Sequence, residues 1–118
     1  MTEHSSFPLR TPPPPYFAVI FSFRVGNREP DQYMEKLRAM NDLASQLPEF
    51  LGEEAIRRED GSALSVSYWS SAEGIEKWRQ HPEHVLAKNL GRSVWYDAYE
   101  LRIAEVHHAR SFRREALD

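Results

Sequence analysis

Residues 17–25, FAVIFSFRV, place Phe17, Val19, Phe21, Phe23 and Val25 on one alternate set and Ala18, Ile20, Ser22 and Arg24 on the other. A period of two with aromatic and β-branched residues predicts a strand. Ala18 and Ile20 are apolar as well, so both faces are expected to be covered near its start. GNREPD breaks the pattern, and Pro30 suits the first turn of a helix. From Asp31 to Gln46 the apolar positions are Tyr33, Leu37, Met40 and Ala44, continued by Leu47. Steps of three and four draw one stripe along a helix, and Pro48 stops it.

FLGEEAIRRE and SALSVSYWS then flank Asp60-Gly61, a hairpin signal. In the second run Leu64, Val66 and Tyr68 share one face, and Ser65, Ser67 and Trp69 the other. Ser70-Ser71 can cap a short helix holding Ile75 and Trp78. His81-Pro82 interrupts it. A second helical piece over about Glu83–Asn89 is expected to end at Gly91. YDAYELRIAEVHHARSF alternates again, with Leu101 and Ile103 on one side and Ala104 and Val106 on the other.

The order β-α-β-β-α-β predicts an α+β, ferredoxin-like fold, a four-stranded antiparallel sheet with helices on one face. The expected organisation is a Pro-rich arm over 1–15, one domain over 16–108, and a tail over 109–118. The run Pro12 to Pro15 favours an extended polyproline II arm, either a stiff leader or a strap on a partner subunit. The helix-free face of the sheet is expected to carry Trp69, one set of the first strand and part of the last. An apolar face of that kind needs a cover, and a second copy in a two-fold homodimer supplies one.

Composition narrows the chemistry. The 118 residues are 41% hydrophobic and 28% charged, with a net charge of −3, values ordinary for one globular domain. No cysteine is present, which removes disulfides, thiolate metal sites and a cysteine nucleophile, and fits a reducing cytoplasm. No Lys/Arg run exceeds two residues, against the basic stripe of a nucleic-acid binder. No stretch is long and apolar enough for a membrane span, and MTEHSSFPLRTPPPPY lacks the order of a signal peptide.

Residues 78–96, WRQHPEHVLAKNLGRSVWY, concentrate the candidate chemistry. His81 and His84 stand three apart, a spacing that can share a metal on a helix, but no third ligand accompanies them and no metal site is expected. His81 reads as a helix break whose imidazole caps a neighbouring carbonyl. His84 reads as a general base or a ligand donor. Arg92 either complements a helix end or clamps an anion. Trp78 reads as packing or as cavity wall. Trp95, Tyr96 and Tyr99 close a cavity mouth or stack across a dimer seam. His107 and His108, adjacent on a strand, point to opposite faces.

Tyr68–Ser71 (YWSS), W-x-x-H-P-E-H over 78–84 and G-R-x-x-W-Y-x-x-Y over 91–99, in this order of elements, resemble the antibiotic biosynthesis monooxygenase (ABM) family over about Tyr16 to Val106. The resemblance implies a dimeric α/β barrel with a cavity between sheet and helices in each subunit. It also implies a range of chemistries, from oxygenation of phenolic or quinol-type aromatics by dioxygen without metal or flavin to haem degradation. In the cofactor-free members a tryptophan ending the third strand works with an asparagine four residues earlier; Trp69 matches the first, and Ser65 stands in place of the second. In the haem-degrading members Trp78 would match a functional tryptophan. Lys88 falls where the iron-binding histidine belongs, and FAVIFSF lacks the asparagine. The expected reading is a cofactor-independent monooxygenase using a small electron-rich aromatic and dioxygen. Trp69 would serve as ring platform, Ser65 as donor, His84 as proton acceptor and Arg92 as anion stabiliser, with Trp78, His81, Trp95, Tyr96 and Tyr99 binding the ligand. The alternatives are a non-catalytic, ligand-binding or stress-related dimer, and a single-stranded nucleic-acid binder on the open sheet.

Overall fold

The computed structural model describes residues 7–26 and 30–114. Residues 1–6 of the arm, 27–29 of the GNREPD break and 115–118 of the tail lie outside the described residues. The elements run β1 (Tyr16–Val25), α1 (Pro30–Ala44), β2 (Phe50–Arg57), β3 (Ser62–Trp69), α2 (Ala72–Gln80), α3 (Pro82–Leu90), a π-helical turn (Gly91–Trp95) and β4 (Tyr96–Val106). The four strands form one sheet in the order β2-β3-β1-β4, with every neighbouring pair antiparallel. This is the ferredoxin-like α+β fold expected from the pattern.

Cross-strand pairing sorts the side chains. Phe17, Val19 and Phe21 of β1 face Trp69, Ser67 and Ser65 of β3, and Val19 and Phe21 face Ile103 and Leu101 of β4. Directly opposed residues share a face, so this set forms the helix-covered side. The α1 stripe of Tyr33, Met40 and Ala44 is buried against it. The helix ends at Ala44, short of the expected Gln46. Its last turn tightens through Gln46 N–H to Leu43 O (3.1 Å) and Leu47 N–H to Ala44 O (3.0 Å), because the residue before Pro48 disfavours the helical region.

Trp69 is therefore not on the helix-free face, as the sequence suggested. It is 1% exposed, beneath the helices. The alternation along β3 is as expected, but the set containing Trp69 is the inward one. The bulky indole gains more from burial under three helices than the small Ser65 and Ser67 alone would have suggested.

The opposite face carries Tyr16, Ala18 and Ile20 of β1, Tyr68, Val66 and Leu64 of β3, and Gly52, Glu54 and Ile56 of β2. The arm covers one end of it. Leu9 packs over Gly52, whose φ of +139° and absent side chain leave the room. Its amide donates to Glu54 Oε2 (2.7 Å), while the Tyr68 hydroxyl donates to Glu54 Oε1 (2.9 Å). Thr11 donates to the Tyr16 hydroxyl (2.9 Å), and Arg113 donates to Pro8 O (2.6 Å). The arm thus lies on its own sheet. Ile56 and Leu64 stay exposed beyond it.

β4 stops at Val106, so His107 and His108 fall past the strand and are exposed. Through Arg114 the tail has neither helix nor strand.

Candidate functional site

A cavity of about 260 Å³ lies between the helix-covered face and the helices. Val19, Phe21, Ser67, Trp69, Leu101 and Ile103 form its sheet wall. Tyr33, Leu37 and Met40 of α1 close one side, and Ile75, Trp78 and His84 of α2 and α3 close another. Trp95, Tyr96 and Tyr99 complete it at the start of β4. Walls this apolar, with a few polar atoms, are the usual makeup of a small-molecule site.

Local sequence explains how His84 enters. Ser71 caps α2 by accepting from the Gly74 amide (3.1 Å). His81 then ends α2, with its amide on Trp78 O, and starts α3 by accepting the Glu83 amide at Nδ1 (3.1 Å). The sequence anticipates a cap at this break, but the imidazole serves an amide rather than a carbonyl. Pro82 fits the first turn of α3. The break turns α3 so that His84 stacks on Trp78, with ring centroids 4.6 Å apart and planes 21° from parallel.

His84 Nδ1 is buried and has no hydrogen-bond partner. Burial first, and the nearby Lys88 ammonium next, hold its proton affinity below the ordinary histidine value, against an upward pull from the Trp78 and Arg79 backbone. At neutral pH the ring is an uncharged base facing an apolar space.

Trp69 faces the cavity with its ring, while its Nε1–H donates to Ser67 Oγ (2.9 Å). Ser65 donates to Glu53 Oε2 (3.1 Å) and is not part of the lining. Burial lifts the Glu53 carboxyl above its usual range, and that hydrogen bond offsets part of the rise.

The second aromatic group depends on the π-helical turn. The Tyr96 amide reaches back five residues to Gly91 O. Such turns recur at functional sites because they re-aim side chains. Gly91 ends α3 as its C-cap, as expected, but it stays right-handed (φ −57°) and leads straight into the π-helical turn. A Cβ there would lie 2.6 Å from the Tyr96 ring, so glycine serves ring placement. Trp95 is 2% exposed and Tyr33 3%, with ring centroids 5.4 Å apart. Trp95 Nε1 is buried without a hydrogen-bond partner. The Tyr96 phenol, buried and beside Tyr33, is pushed far above its ordinary value and stays protonated.

Of the residues singled out in the sequence, Trp69, His84, Trp78, Trp95, Tyr96 and Tyr99 line one cavity. Ser65, His81 and Arg92 do not. Arg92 is exposed and reaches Asn89 Oδ1 (3.3 Å). Tyr33 and Ser67 join the site without having been singled out. A hydroxyl in the otherwise aliphatic α1 stripe is the signal for Tyr33. Among the described residues no three His, Cys, Asp or Glu side chains come together as a metal-holding group.

A ferredoxin-like sheet with helices on one face and an apolar, aromatic cavity between them defines the α+β domain. The chain belongs to the antibiotic biosynthesis monooxygenase family, whose model matches residues 16–89. It is 46% identical over 112 residues to the uncharacterized protein YqjZ of Bacillus subtilis (strain 168), covering 95% of this chain and 97% of that one. It is 29% identical over 94 residues to the jasmonate monooxygenase ABM of Pyricularia oryzae, spanning 76% of this chain but 43% of that protein. In fold it resembles SnoaB, a cofactor-independent oxygenase from Streptomyces nogalater, with a TM-score of 0.67, 14% identity and coverage of 86% and 100% of the two chains.

Proposed function

We propose that the protein is a monooxygenase acting without metal or flavin on a small, electron-rich aromatic or quinol-type substrate, with dioxygen as co-substrate. The observation that carries this reading is the apolar, aromatic cavity itself, with the uncharged imidazole of His84 in its wall. Family membership and the oxygenase names of SnoaB and the Pyricularia protein support it.

In this reading Trp69 and Trp78 hold the substrate ring, and the uncharged His84 imidazole takes the proton of its acidic hydroxyl. The resulting anion is electron-rich enough to pass one electron to dioxygen. The two radicals combine in a carbon–oxygen bond. The peroxide anion takes back the proton held by His84; the ring carbon then loses its hydrogen as a proton while the O–O bond breaks, so that water leaves and a carbonyl remains. The apolar walls limit solvent access to these intermediates. Oxygen uptake with a panel of hydroquinones and anthrone-like phenols, compared between the native protein and His84→Ala, tests this directly. Uptake that His84→Ala leaves unchanged removes His84 as the base.

A second reading is a non-catalytic dimer that binds a ligand in the same cavity. It is favoured by the Trp69 N–H being committed to Ser67 and the Ser65 hydroxyl to Glu53. It predicts saturable binding with no product. In both readings the protein works as a homodimer in the cytoplasm, its exposed Ile56 and Leu64 covered by a second copy.

A further inference from the structure

The structure removes the cation that the sequence offered as an anion stabiliser: Arg92 is exposed and donates to Asn89. Three other cations line the cavity, Lys36 of α1, Arg79 of α2 and Lys88 of α3, and no Asp or Glu stands among the lining residues. In a chain with a net charge of −3, a lining of one sign fits an anionic guest.

Arg79 is already engaged. Its guanidinium donates twice to Glu76, at 3.2 and 2.7 Å, on exposed surface. Both lysines are half-buried, and neither forms an ion pair among the described residues. No acidic residue stands three or four positions from either along its helix, the spacing at which a helical neighbour would neutralise it. A half-buried ammonium without a counter-ion gains from an anion that enters beside it.

Position separates the two lysines. Lys88 follows His84 by four residues, so the two share a face of α3, and both line the cavity. The Lys88 charge is felt at the His84 ring, second to burial in lowering its proton affinity, and also at Glu76 of α2. Lys36 comes from another helix and is not among the charges felt at that ring. A cation in the last turn of α3 also suits the helix dipole, but an exposed side chain would serve that end equally well.

We infer that Lys88 is the counter-charge for an ionised ligand oxygen, so that the cavity selects the anion of an acidic phenol or enol over its neutral form. The inference rests on the proposed reading of the cavity, and it supplies the group that steadies the anion once His84 has taken the proton. The positive charge that keeps the imidazole unprotonated favours a negative oxygen formed near it.

The test is spectroscopic. 4-Nitrophenol titrates near neutrality, and its anion alone absorbs strongly in the visible. Its nitro group makes that anion a poor reductant of dioxygen, so it reports binding without turnover. At neutral pH the anion share of bound nitrophenol should exceed that of the free compound. Lys88→Gln should lower the bound anion-to-neutral ratio at least about threefold. Lys88→Met, which keeps the apolar stem, should do the same, Lys88→Arg should restore the ratio, and Arg92→Gln should leave it unchanged. 4-Nitroanisole, the methyl ether, cannot ionise, and its unchanged affinity shows that the variant cavities are intact. A bound ligand no more ionised than the free one overturns the inference. So does a ratio that the Lys88 variants leave unchanged, a ratio that only Lys36→Gln lowers, or the failure of both probes to bind. An anion share that depends on Lys88, without oxygen uptake on the phenol panel, would leave Lys88 in its role and reject the monooxygenase reading. Uptake that His84→Ala abolishes, with an anion share indifferent to Lys88, would reject the role of Lys88 alone.

Discussion

The Trp69 indole N–H donates to Ser67 Oγ across 2.9 Å, two residues back on the same strand and face. The tryptophan that ends β3 therefore meets the cavity with its ring while its donor is held at the wall. Ser67→Ala should leave that N–H buried without an acceptor, at a cost of about 1–3 kcal/mol. Thermal unfolding reads the loss, and the Trp69 indole proton should move upfield. An unchanged melting temperature would mean that the hydroxyl contributes nothing.

His84 sets an acid limit. Its folded-state proton affinity is lowered, so the unfolded chain binds the proton more readily. The stability it contributes is fully present above about pH 6.5, the ordinary histidine value, and is lost as pH falls through the lowered value. Base activity should fail over the same acidic range, placing the acid limb of the oxygen-uptake profile below pH 6.5. His84→Ala should lower the rate by about 10²–10⁴-fold. A limb at or above the ordinary histidine value would count against His84.

Glu53 titrates the other way. Burial raises its carboxyl above the usual range, so ionisation penalises the native state. That penalty is absent in acid and grows as pH rises through the raised value. Glu53→Gln keeps an acceptor for Ser65 and removes the buried charge. The melting temperature should rise by a few degrees at pH 7 and stay unchanged at pH 4. A fall at pH 7 would show that the charge has a partner worth more than its burial.

Gly91 is held by shape. Gly91→Ala would place a methyl group 2.6 Å from the Tyr96 ring. The ring is rigid and must move, at about 1–3 kcal/mol, and Trp95 beside it in the chain shifts as well. The melting temperature should fall. Near-ultraviolet circular dichroism reports the displaced rings, and an unaltered spectrum would contradict the account.

Much of this arrangement is legible in the chain. Strand alternation, the α1 stripe and Asp60-Gly61 specify the sheet order because each is a local signal. Asp60 even accepts from both the amide and the hydroxyl of Ser62, as an Asp-Gly turn favours. The face of β3 was not legible, since Leu64, Val66 and Tyr68 look as fit for burial as Ser65, Ser67 and Trp69. Only pairing with β1 distinguishes them. The π-helical turn escaped for a related reason: GRSVW carries no periodicity of its own, and a glycine after a helix usually signals its end. Six of the nine residues singled out for the site meet at one cavity, because aromatic clustering survives in sequence. Hydrogen bonds such as Ser65 to Glu53 depend on strand register and do not.

Pro8 and Arg113 are joined by a hydrogen bond of 2.6 Å, so the arm and the tail meet there. A short peptide splice there would close the backbone into a ring, and fresh ends could be opened at the exposed Asp60 hairpin without crossing the cavity. Such a rearranged molecule should fold to the same shape and keep its cavity, whose lining includes none of Pro8, Asp60, Gly61 and Arg113.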